Sequence, residues 1–212
     1  MPEDDLMTAL APVVWIGGSP CAGKTSVVRQ LTDRYGLQVY HFDRHEADHI
    51  KRSNSAQQPA LHAFLAMTMD ERWVLRPPAE MERTVIRSWT ERFRFVIEDL
   101  RALPTDPPIV AEGPGLFPEL VAPLLVSPQQ AIWLVPTAAF CATMRRQRGS
   151  AMPAKTSDPE RAWRNLIDRD ILLARYVRHR AAESGLAVIE IDGSQSIDEV
   201  TAAVAEHVGL IP

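Results

Sequence analysis

The chain has 212 residues, of which 46% are hydrophobic and 24% charged, so it can bury a core and wholesale disorder is disfavoured. A formal net charge of -4 argues against a dedicated nucleic-acid binder, which is normally basic. The cysteines, Cys21 and Cys141, form no CxxC pair, which excludes a disulfide framework and a cysteine zinc finger and favours a reducing compartment.

Short apolar runs alternate with amphipathic stretches in the first part of the chain. Residues 11–16 are a buried-type run that leads into Gly17 and Gly18 and predicts a strand. Residues 26–35 have helical apolar spacing, followed by Gly36 at a helix C-terminus, and residues 37–43 alternate like a second strand.

Residues 44–77 have the least regular pattern, with a short helix predicted near residues 61–69. A long helix is predicted after the Pro77-Pro78 pair. Its apolar face carries Met81, Val85, Trp89, Phe93 and Val96 or Ile97. Its opposite face carries Glu80, Glu82, Arg83, Arg87, Glu91 and Arg94. We interpret this charged face as solvated and assign it no function.

The rest of the chain continues the alternation of strands and helices. Strands are predicted at 107–112, 131–135 and 186–191. One helix is predicted to end near Arg148, and another to run from an Asp158 N-cap and Pro159 to Gly185. Ser196 and Glu199 match a capping box before a final helix.

Five strands, each followed by a helix, predict an α/β fold: a three-layer sandwich around a five-stranded parallel sheet. With neither a repeat nor a linker in the pattern, we expect residues 1–212 to form a single domain. Ligands of such sheets bind at the carboxyl ends of the strands. The strand ends to inspect are Gly17, Asp43, Glu112, Val135 and Asp192.

The strongest motif is GSPCAGKT at residues 18–25, which matches G-x-x-x-x-G-K-[ST] between a predicted strand and a predicted helix. Glycines let the backbone wrap a phosphate with its amides pointing inward, and the helix N-terminus adds a favourable dipole. Lys24 would neutralise phosphate oxygens and Thr25 would offer its hydroxyl to Mg²⁺. We interpret Cys21 as a small filler rather than a nucleophile. The residues expected to bind ATP are Gly18, Ser19, Pro20, Cys21, Ala22, Gly23, Lys24, Thr25 and Ser26.

With this motif in its strand–loop–helix context, the chain resembles the P-loop kinases that phosphorylate small molecules: shikimate, gluconate and nucleoside kinases and chloramphenicol phosphotransferase-like enzymes. The resemblance covers most of the chain and is specific at a few short motifs. It implies a P-loop NTPase fold that uses ATP and Mg²⁺, with residues 44–77 binding substrate and residues 145–159 forming a lid. The chain lacks the N-K-x-D motif of GTPases and the L-S-G-G-Q-type signature of transporter ATPases.

Two strand-end acids fit this resemblance. Asp43 resembles the residue that accepts the proton of the substrate hydroxyl, although a turn or N-cap aspartate is the alternative. Glu112, before Gly113, resembles the acidic end of a Walker B strand that holds Mg²⁺ through water or contacts substrate. An exposed strand-end acid is the alternative for Glu112.

Arginines before the predicted lid resemble those that close over the transferring phosphoryl group. Arg145 and Arg148 are the catalytic candidates, with Arg146 beside them; a basic helix C-terminus is the alternative. Less certain candidates from the far helix are Arg164, Arg169 and Arg175. Asp192 and Gly193 resemble the loop that borders adenine, or form an ordinary turn. The substrate-facing candidates are Arg76, Trp73, Phe64 and His62, with packing favoured for the two aromatic residues.

A competing motif is H-E-x-x-H at residues 45–49, the pattern of zinc proteases, with His41 nearby. Its surroundings are charged rather than apolar, with Asp48 inside the motif and no clear third ligand. A polar segment that faces substrate, or a solvated helix, fits residues 45–49 better.

The sequence therefore predicts an ATP-dependent kinase that phosphorylates a hydroxyl group of a small molecule. A regulatory ATP-binding protein without an acceptor is the main alternative, and a zinc hydrolase is a weaker one. No apolar run approaches the roughly 18–20 residues that span a bilayer. Residues 1–5 are acidic where a signal peptide is basic, so we expect a cytoplasmic protein without membrane or nucleic-acid partners. The oligomeric state and the substrate stay open.

Overall fold

The computed structural model describes residues 3–210, with side chains from residue 6 onward. Met1 and Pro2, part of the acidic N-terminal run, lie outside this description. The chain forms a three-layer α/β sandwich around a five-stranded sheet. The strands are β1 (Val13–Gly18), β2 (Gln38–His41), β3 (Ile109–Glu112), β4 (Ala131–Pro136) and β5 (Ala187–Ile191).

All neighbouring strands are parallel, in the order β2-β3-β1-β4-β5. The central strand β1 pairs with β3 from Val13 opposite Ile109, and with β4 from Trp15 opposite Ala131. The chain fills positions on one side of β1 before it crosses to the other, so the connections change direction there. Parallel α/β sheets bind ligands at such a switch point, outside the carboxyl ends of the strands.

Helices cover both faces of the sheet. They are α1 (Glu3–Leu10), α2 (Lys24–Tyr35), α3 (Glu46–Arg52), α4 (Pro59–Ala66), α5 (Met69–Trp73), α6 (Pro78–Ala102), α7 (Pro118–Val121), α8 (Ala138–Arg148), α9 (Pro159–Glu183) and α10 (Ile197–His207). Short 3₁₀ turns occupy Ala122–Leu124, Pro128–Gln130 and Pro153–Lys155. Within residues 3–210, no helix is long and apolar enough to cross a bilayer.

The alternation of side chains along β1 separates two apolar cores. Trp15 packs into a core that includes Phe93 of α6 and Val177 of α9, whereas Ile16 packs into a core with Val28 of α2 and other residues. A third, smaller cluster lies away from both cores, and we call it the satellite cluster. Its buried members are Trp73, Val74, Met81, Ala162 and Leu166.

The predicted fold class is confirmed, and the long helix after Pro77 is present as α6. Asp158 accepts a hydrogen bond from the Arg161 amide, and Ser196 forms its capping box with Glu199. These caps follow from local sequence alone, which explains why they could be predicted.

The prediction for residues 44–77 was incomplete, because this segment contains three helices, α3, α4 and α5. The expected helix near 61–69 is α4, which begins at Pro59 and ends at Ala66. Thr68 then opens α5 with a capping box to Glu71. The sequence signal for this second start, a threonine followed three residues later by a glutamate, was present.

One residue on the charged face of α6 is not simply solvated. The carboxylate of Glu91 accepts hydrogen bonds from the amides of Ala60, at 2.9 Å, and Leu61, at 2.8 Å. These amides belong to the first turn of α4, whose free donors need partners. Glu91 therefore fixes the start of α4 against α6.

Candidate functional site

A cavity of about 900 Å³ opens at the carboxyl edge of the sheet. One side is formed by residues 20–26, which follow β1, and by the strand-end acids Asp43 and Glu112. The other side is formed by α3 to α6, and the C-terminal part of α8 lies across it. The cavity thus joins the phosphate-binding motif, the strand-end acids and the segment at residues 44–77.

The motif at residues 18–25 forms a tight loop between β1 and α2. Gly18 has φ +126°, and a Cβ atom there would lie 1.9 Å from the Leu134 carbonyl oxygen, so only glycine fits. Gly23, with φ +77°, immediately precedes α2, and its carbonyl accepts from the amides of Ser26 and Val27. Gly18 and Ser19 are not among the residues that line the cavity, whereas residues 20–26 are.

The Lys24 side chain lies inside this loop and is only 6% exposed. Its ammonium group donates a hydrogen bond to the Ser19 carbonyl oxygen at 2.8 Å. Burial lowers the pKa of Lys24, while the nearby carboxylates of Glu112 and Asp43 oppose that shift. A buried ammonium at a helix N-terminus suits a multiply charged anion such as a phosphate chain.

Side-chain oxygen atoms of Thr25 and Glu112 lie close together beside the loop. The Thr25 hydroxyl donates to Glu112 Oε1 at 3.3 Å, and His41 Nδ1 lies 2.7 Å from the same oxygen. Glu112 is 6% exposed and ends β3, next to β1 in the sheet. A hydroxyl and a carboxylate are hard oxygen ligands of the kind that Mg²⁺ prefers, so the donor set fits this ion.

Asp43 follows β2 and lines the same cavity. Desolvation inside the cleft raises the pKa of its carboxyl group, Lys24 opposes the shift, and Glu112 adds to it. A carboxylate with a raised pKa accepts a proton more readily than an ordinary aspartate. Its location therefore suits a group that takes a proton from a bound molecule.

Arg92, which the sequence analysis missed, lies outside the cavity lining but positions the backbone next to Asp43. Its side chain is 1% exposed and lies on the face of α6 that packs inward. It donates to the Phe42 carbonyl oxygen at 3.1 Å and to Glu46 at 3.3 Å, and its guanidinium lies 4.1 Å from the centre of the Phe42 ring. Arg92 thus holds the backbone that carries Asp43. The available signal was its helical spacing from Val85 and Val96, which places it on the apolar face.

The predicted lid contains an anchored arginine and a free one. Arg145 Nε donates to Asp170 Oδ2 at 2.8 Å, and Asp170 is completely buried in α9. Arg148 also lines the cavity, and it makes no hydrogen bond or ion pair with the described residues. Gly149 ends α8 with φ +66°, and the chain reaches α9 through residues 149–158.

Of the less certain arginine candidates, the structure brings one to the cavity. Arg169 lines it, is 7% exposed and lies 5.5 Å above the Trp73 ring. Arg164 pairs with Glu160 on the surface of α9, at 3.5 Å, and Arg175 is exposed. Arg146 is also exposed and lies outside the cavity lining.

Asp192 and Gly193 do not line the cavity. The Asp192 carboxylate accepts hydrogen bonds from the Ser194 amide at 2.8 Å and hydroxyl at 2.6 Å, which is the geometry of a local turn. A Cβ at Gly193 would lie 2.9 Å from the Phe140 ring, so close packing on α8 explains this glycine. The turn nevertheless lies near the phosphate loop, because a Cβ at Gly23 would contact the Ile197 side chain at 3.4 Å.

The side of the cavity formed by residues 44–77 and α6 is mostly apolar. Its apolar lining residues are Ile50, Leu61, Phe64, Leu65, Trp73, Met81, Val85 and Trp89. Arg72 and Arg76 add charge there, and both are anchored: Arg72 donates to the Leu65 carbonyl and Arg76 to the Glu71 carbonyl. His62 does not line the cavity; its Nε2 lies 2.9 Å from the Ser53 hydroxyl.

The H-E-x-x-H motif at residues 45–49 does not assemble a zinc site. His49 is fully buried and its Nε2 lies 2.9 Å from Asp99 and 3.2 Å from the Tyr40 hydroxyl. His45 stacks on Tyr40, and its Nδ1 lies 2.9 Å from the His41 carbonyl. Among the side chains that the structure describes, neither histidine joins a group of three metal-ligating residues. Instead, the buried His49 links α3 to Tyr40 of β2 and Asp99 of α6.

No family model and no curated protein matches the chain. Among solved structures, it is similar to an uncharacterized protein from Eubacterium ventriosum, with 11% identity and a TM-score of 0.46, over 94% of this chain and 98% of the other. It is also similar to shikimate kinase from Acinetobacter baumannii in complex with shikimate, with 16% identity and a TM-score of 0.45. This second match covers 99% of this chain and 98% of that one. Likeness at this level says nothing about activity, so the function is inferred from the cavity.

Proposed function

We propose that the protein transfers the terminal phosphoryl group of ATP to a hydroxyl group of a small molecule in the cytoplasm. The observation that supports this proposal is one continuous cavity lined both by residues 20–26 of the G-x-x-x-x-G-K-[ST] motif and by an apolar wall from α3 to α6. Asp43, a carboxylate with a raised pKa, lines the same cavity. A protein that only binds or hydrolyses ATP needs no such wall beside the phosphates.

Each polar group has a role in this reaction. The loop amides and Lys24 bind the phosphates of ATP, and Thr25 and Glu112 hold Mg²⁺. When bound, Mg²⁺ neutralises charge on the transferring phosphoryl group. The oxygen of the acceptor hydroxyl bonds to the terminal phosphorus of ATP, and ADP leaves. Asp43 accepts the proton that this hydroxyl loses. Arg148 stabilises the transferring group, because a guanidinium matches charge spread over three oxygens.

Arg145 has a different role from Arg148 in this proposal. Its bond to the buried Asp170 fixes the end of α8, so it orients the lid and Arg148 within it. Closure of residues 145–159 over the cavity would exclude water and so suppress ATP hydrolysis. The apolar wall favours an acceptor with an apolar or aromatic face in addition to its hydroxyl group.

A screen with a matched pair of variants tests this function. The purified protein is incubated with MgATP and a panel of hydroxylated metabolites and antibiotics, and ADP and phosphorylated product are both measured. We expect an acceptor-dependent rate that Lys24→Ala abolishes, because removal of the ammonium leaves phosphate charge unneutralised. The control is Arg29→Ala, which removes an exposed cation from the same helix and should keep the rate.

Two results would contradict this proposal, the first rejecting the kinase activity and the second rejecting the role of Lys24. Steady ATP hydrolysis that no panel compound changes would identify a regulatory ATPase without an acceptor. Full acceptor-dependent activity in Lys24→Ala would remove the phosphate-loop mechanism.

A further inference from the structure

Two thiols meet where the loop at residues 18–25 packs against α8, and neither has a role in the proposed reaction. Cys21 lies in the loop and lines the cavity, and Cys141 is completely buried in α8. Their sulfur atoms and a carboxylate oxygen of Asp170 all lie within 4.8 Å of one another. Both cysteines are free.

The backbone at Cys21 gives a second, independent reason to look at this pair. Cys21 has φ +67°, and it is the only non-glycine residue with a positive φ in the described part of the chain. This left-handed region of positive φ disfavours residues with a Cβ atom, whereas glycine adopts it readily. A cysteine held there, facing another cysteine, suggests that the side chain itself has a use.

The surroundings of Cys21 favour the ionised form of its thiol. A hydrogen bond from the Cys141 thiol, together with the nearby guanidinium of Arg145, lowers the pKa of Cys21 to about 7, although burial opposes this. The pKa of Cys141 is raised, because it donates to Cys21 and is buried. Cys21 therefore carries substantial thiolate at neutral pH, and Cys141 keeps its proton.

We propose that Cys21 and Cys141 form a dithiol that peroxide oxidises to a disulfide, and that this disulfide inactivates the phosphate loop. The Cys21 thiolate attacks one peroxide oxygen, the O–O bond breaks, and Cys21 becomes a sulfenic acid as water forms. The Cys141 sulfur then attacks the Cys21 sulfur, the S–O bond breaks, and the oxygen leaves with two protons as a second water. The two thiols are oxidised by two electrons, and hydrogen peroxide is reduced to two waters.

The bond would act directly on nucleotide binding. A disulfide brings two sulfur atoms to about 2.05 Å, so it would tether the loop to α8. The loop amides must stay free to curl around phosphate, and Cys21 lies three residues before Lys24, where α2 begins. Inactivation rests on the proposed function, but formation of the disulfide does not.

The same three side chains resemble a site for a thiophilic metal ion, such as Zn²⁺. The Arg145 guanidinium, bonded to Asp170, opposes a cation at this position and favours the thiolate of Cys21. We therefore commit to the disulfide, with zinc as an outcome that the experiment can detect.

The first measurement detects the disulfide between Cys21 and Cys141. The reduced full-length protein is treated with hydrogen peroxide, digested without reductant and analysed by mass spectrometry. We expect a cross-linked peptide pair that contains Cys21 and Cys141, lighter by two hydrogens than the separate peptides, and reversed by dithiothreitol. In Cys141→Ser, and in Cys141→Ala as a second variant, the cross-link should be absent and a sulfenic-acid probe should label Cys21.

The second measurement follows binding of a fluorescent ATP analogue. Oxidation of the wild type should weaken binding by about tenfold or more, a loss of roughly 1.4 kcal/mol, and dithiothreitol should restore it. Before oxidation, both Cys141 variants should bind the analogue as the wild type does.

Three results would overturn the proposal. They are free thiols at both cysteines after peroxide has oxidised methionines, a disulfide that leaves binding unchanged, and stoichiometric zinc that protects both thiols. Reduced protein that binds no nucleotide would reject the proposed function and the inactivation together, while the cross-link would still report on the bond itself.

Discussion

At the scale of single residues, the buried charges of Lys24 and Asp43 stabilise each other. Lys24 is desolvated and stabilised by two carboxylates, and Asp43 is desolvated and stabilised by Lys24. Each group makes the ionised form of the other less costly. Among the residues that the structure describes, the Lys24 ammonium has one hydrogen-bond partner, the Ser19 carbonyl oxygen, so an incoming phosphate chain could accept from its remaining donors.

Asp43→Asn tests the proton acceptor. Asparagine keeps the shape of the side chain but accepts no proton, so kcat should fall by about 10²-fold or more while the KM for ATP changes little. Initial rates with the acceptor found in the screen give both constants. Asp33→Asn, an exposed position on α2, is the matched control and should retain wild-type kcat. Unchanged kcat in Asp43→Asn would mean that another group accepts the proton.

The raised pKa of Asp43 fixes the sign of two pH effects. As the pH falls through this pKa, the carboxylate takes a proton and kcat should fall, at a higher pH than for an ordinary aspartate. For stability the sign is opposite, because the folded state binds the proton more tightly than the unfolded state. Stability from Asp43 is therefore lost as the pH rises through the same window, and Asp43→Asn should be no less stable than the wild type at neutral pH.

At the scale of elements, α6 forms one side of the site through a mixed face. Its apolar positions could be predicted from helical spacing, but the sequence analysis placed Arg92 on neither face of the helix. Glu91 was likewise assigned to solvent although it holds the first turn of α4. Burial of a charged residue depends on partners that are distant in sequence, and for Arg92 these are Phe42 and Glu46.

Arg92→Met tests this link between α6, α3 and the end of β2. Methionine fills similar space but donates no hydrogen bond, so the Phe42 carbonyl loses a partner. We expect the free energy of unfolding to fall by about 1–3 kcal/mol, measured by urea denaturation. The value of kcat should fall as well, because Asp43 follows Phe42 directly.

Arg87→Met is the control on the same helix. Arg87 is exposed, so its replacement should change the free energy of unfolding by no more than about 0.5 kcal/mol. If the two substitutions lower the free energy of unfolding equally, the buried hydrogen bonds of Arg92 contribute no more to stability than an exposed arginine does.

The elements around the site divide into those that the sequence determines locally and those that it does not. The phosphate loop is a contiguous motif, so its position between β1 and α2 was predictable. The capped starts of α9 and α10 were predictable for the same reason. The pairing of Arg145 with Asp170 was not, since the two residues are 25 positions apart and lie on different helices.

At the scale of the whole molecule, parallel topology brings the site together. Asp43 and Glu112 could be predicted as neighbours of the loop because their strands end at one edge of one sheet. The same argument pointed to Asp192, which follows β5 at the far edge, and it lies outside the cavity lining. Because β2 lies as far from β1 as β5 does, position in the sheet does not separate the two acids; the Asp192 carboxylate is instead held in a local turn by Ser194.

A hydrogen bond connects α5 to the segment between α8 and α9, which is the predicted lid. The Ser157 amide donates to Asp70 Oδ1 at 2.7 Å, which lowers the pKa of Asp70. Asp70→Ala should loosen the lid and admit water, so that more ATP is hydrolysed for each acceptor molecule phosphorylated. The ratio of ADP to phosphorylated product measures this loss of coupling.

Asp168→Ala provides the comparison for Asp70→Ala, because Asp168 is an exposed aspartate on α9. Its ratio of ADP to product should equal that of the wild type. If Asp70→Ala also keeps the wild-type ratio, the bond to Ser157 has no part in closure.

The satellite cluster supports part of the apolar side of the cavity, whereas Val85 and Trp89 of that side pack against the core that contains Trp15. Trp73 and Met81 contribute to both the wall and this cluster, which is separate from the two cores that hold the sheet. We therefore expect exchanges at Trp73 and Met81 to leave the packing of the central strands unchanged. If the proposed function holds, such exchanges would alter the preference for one acceptor over another without changing residues 18–26, which are proposed to bind ATP.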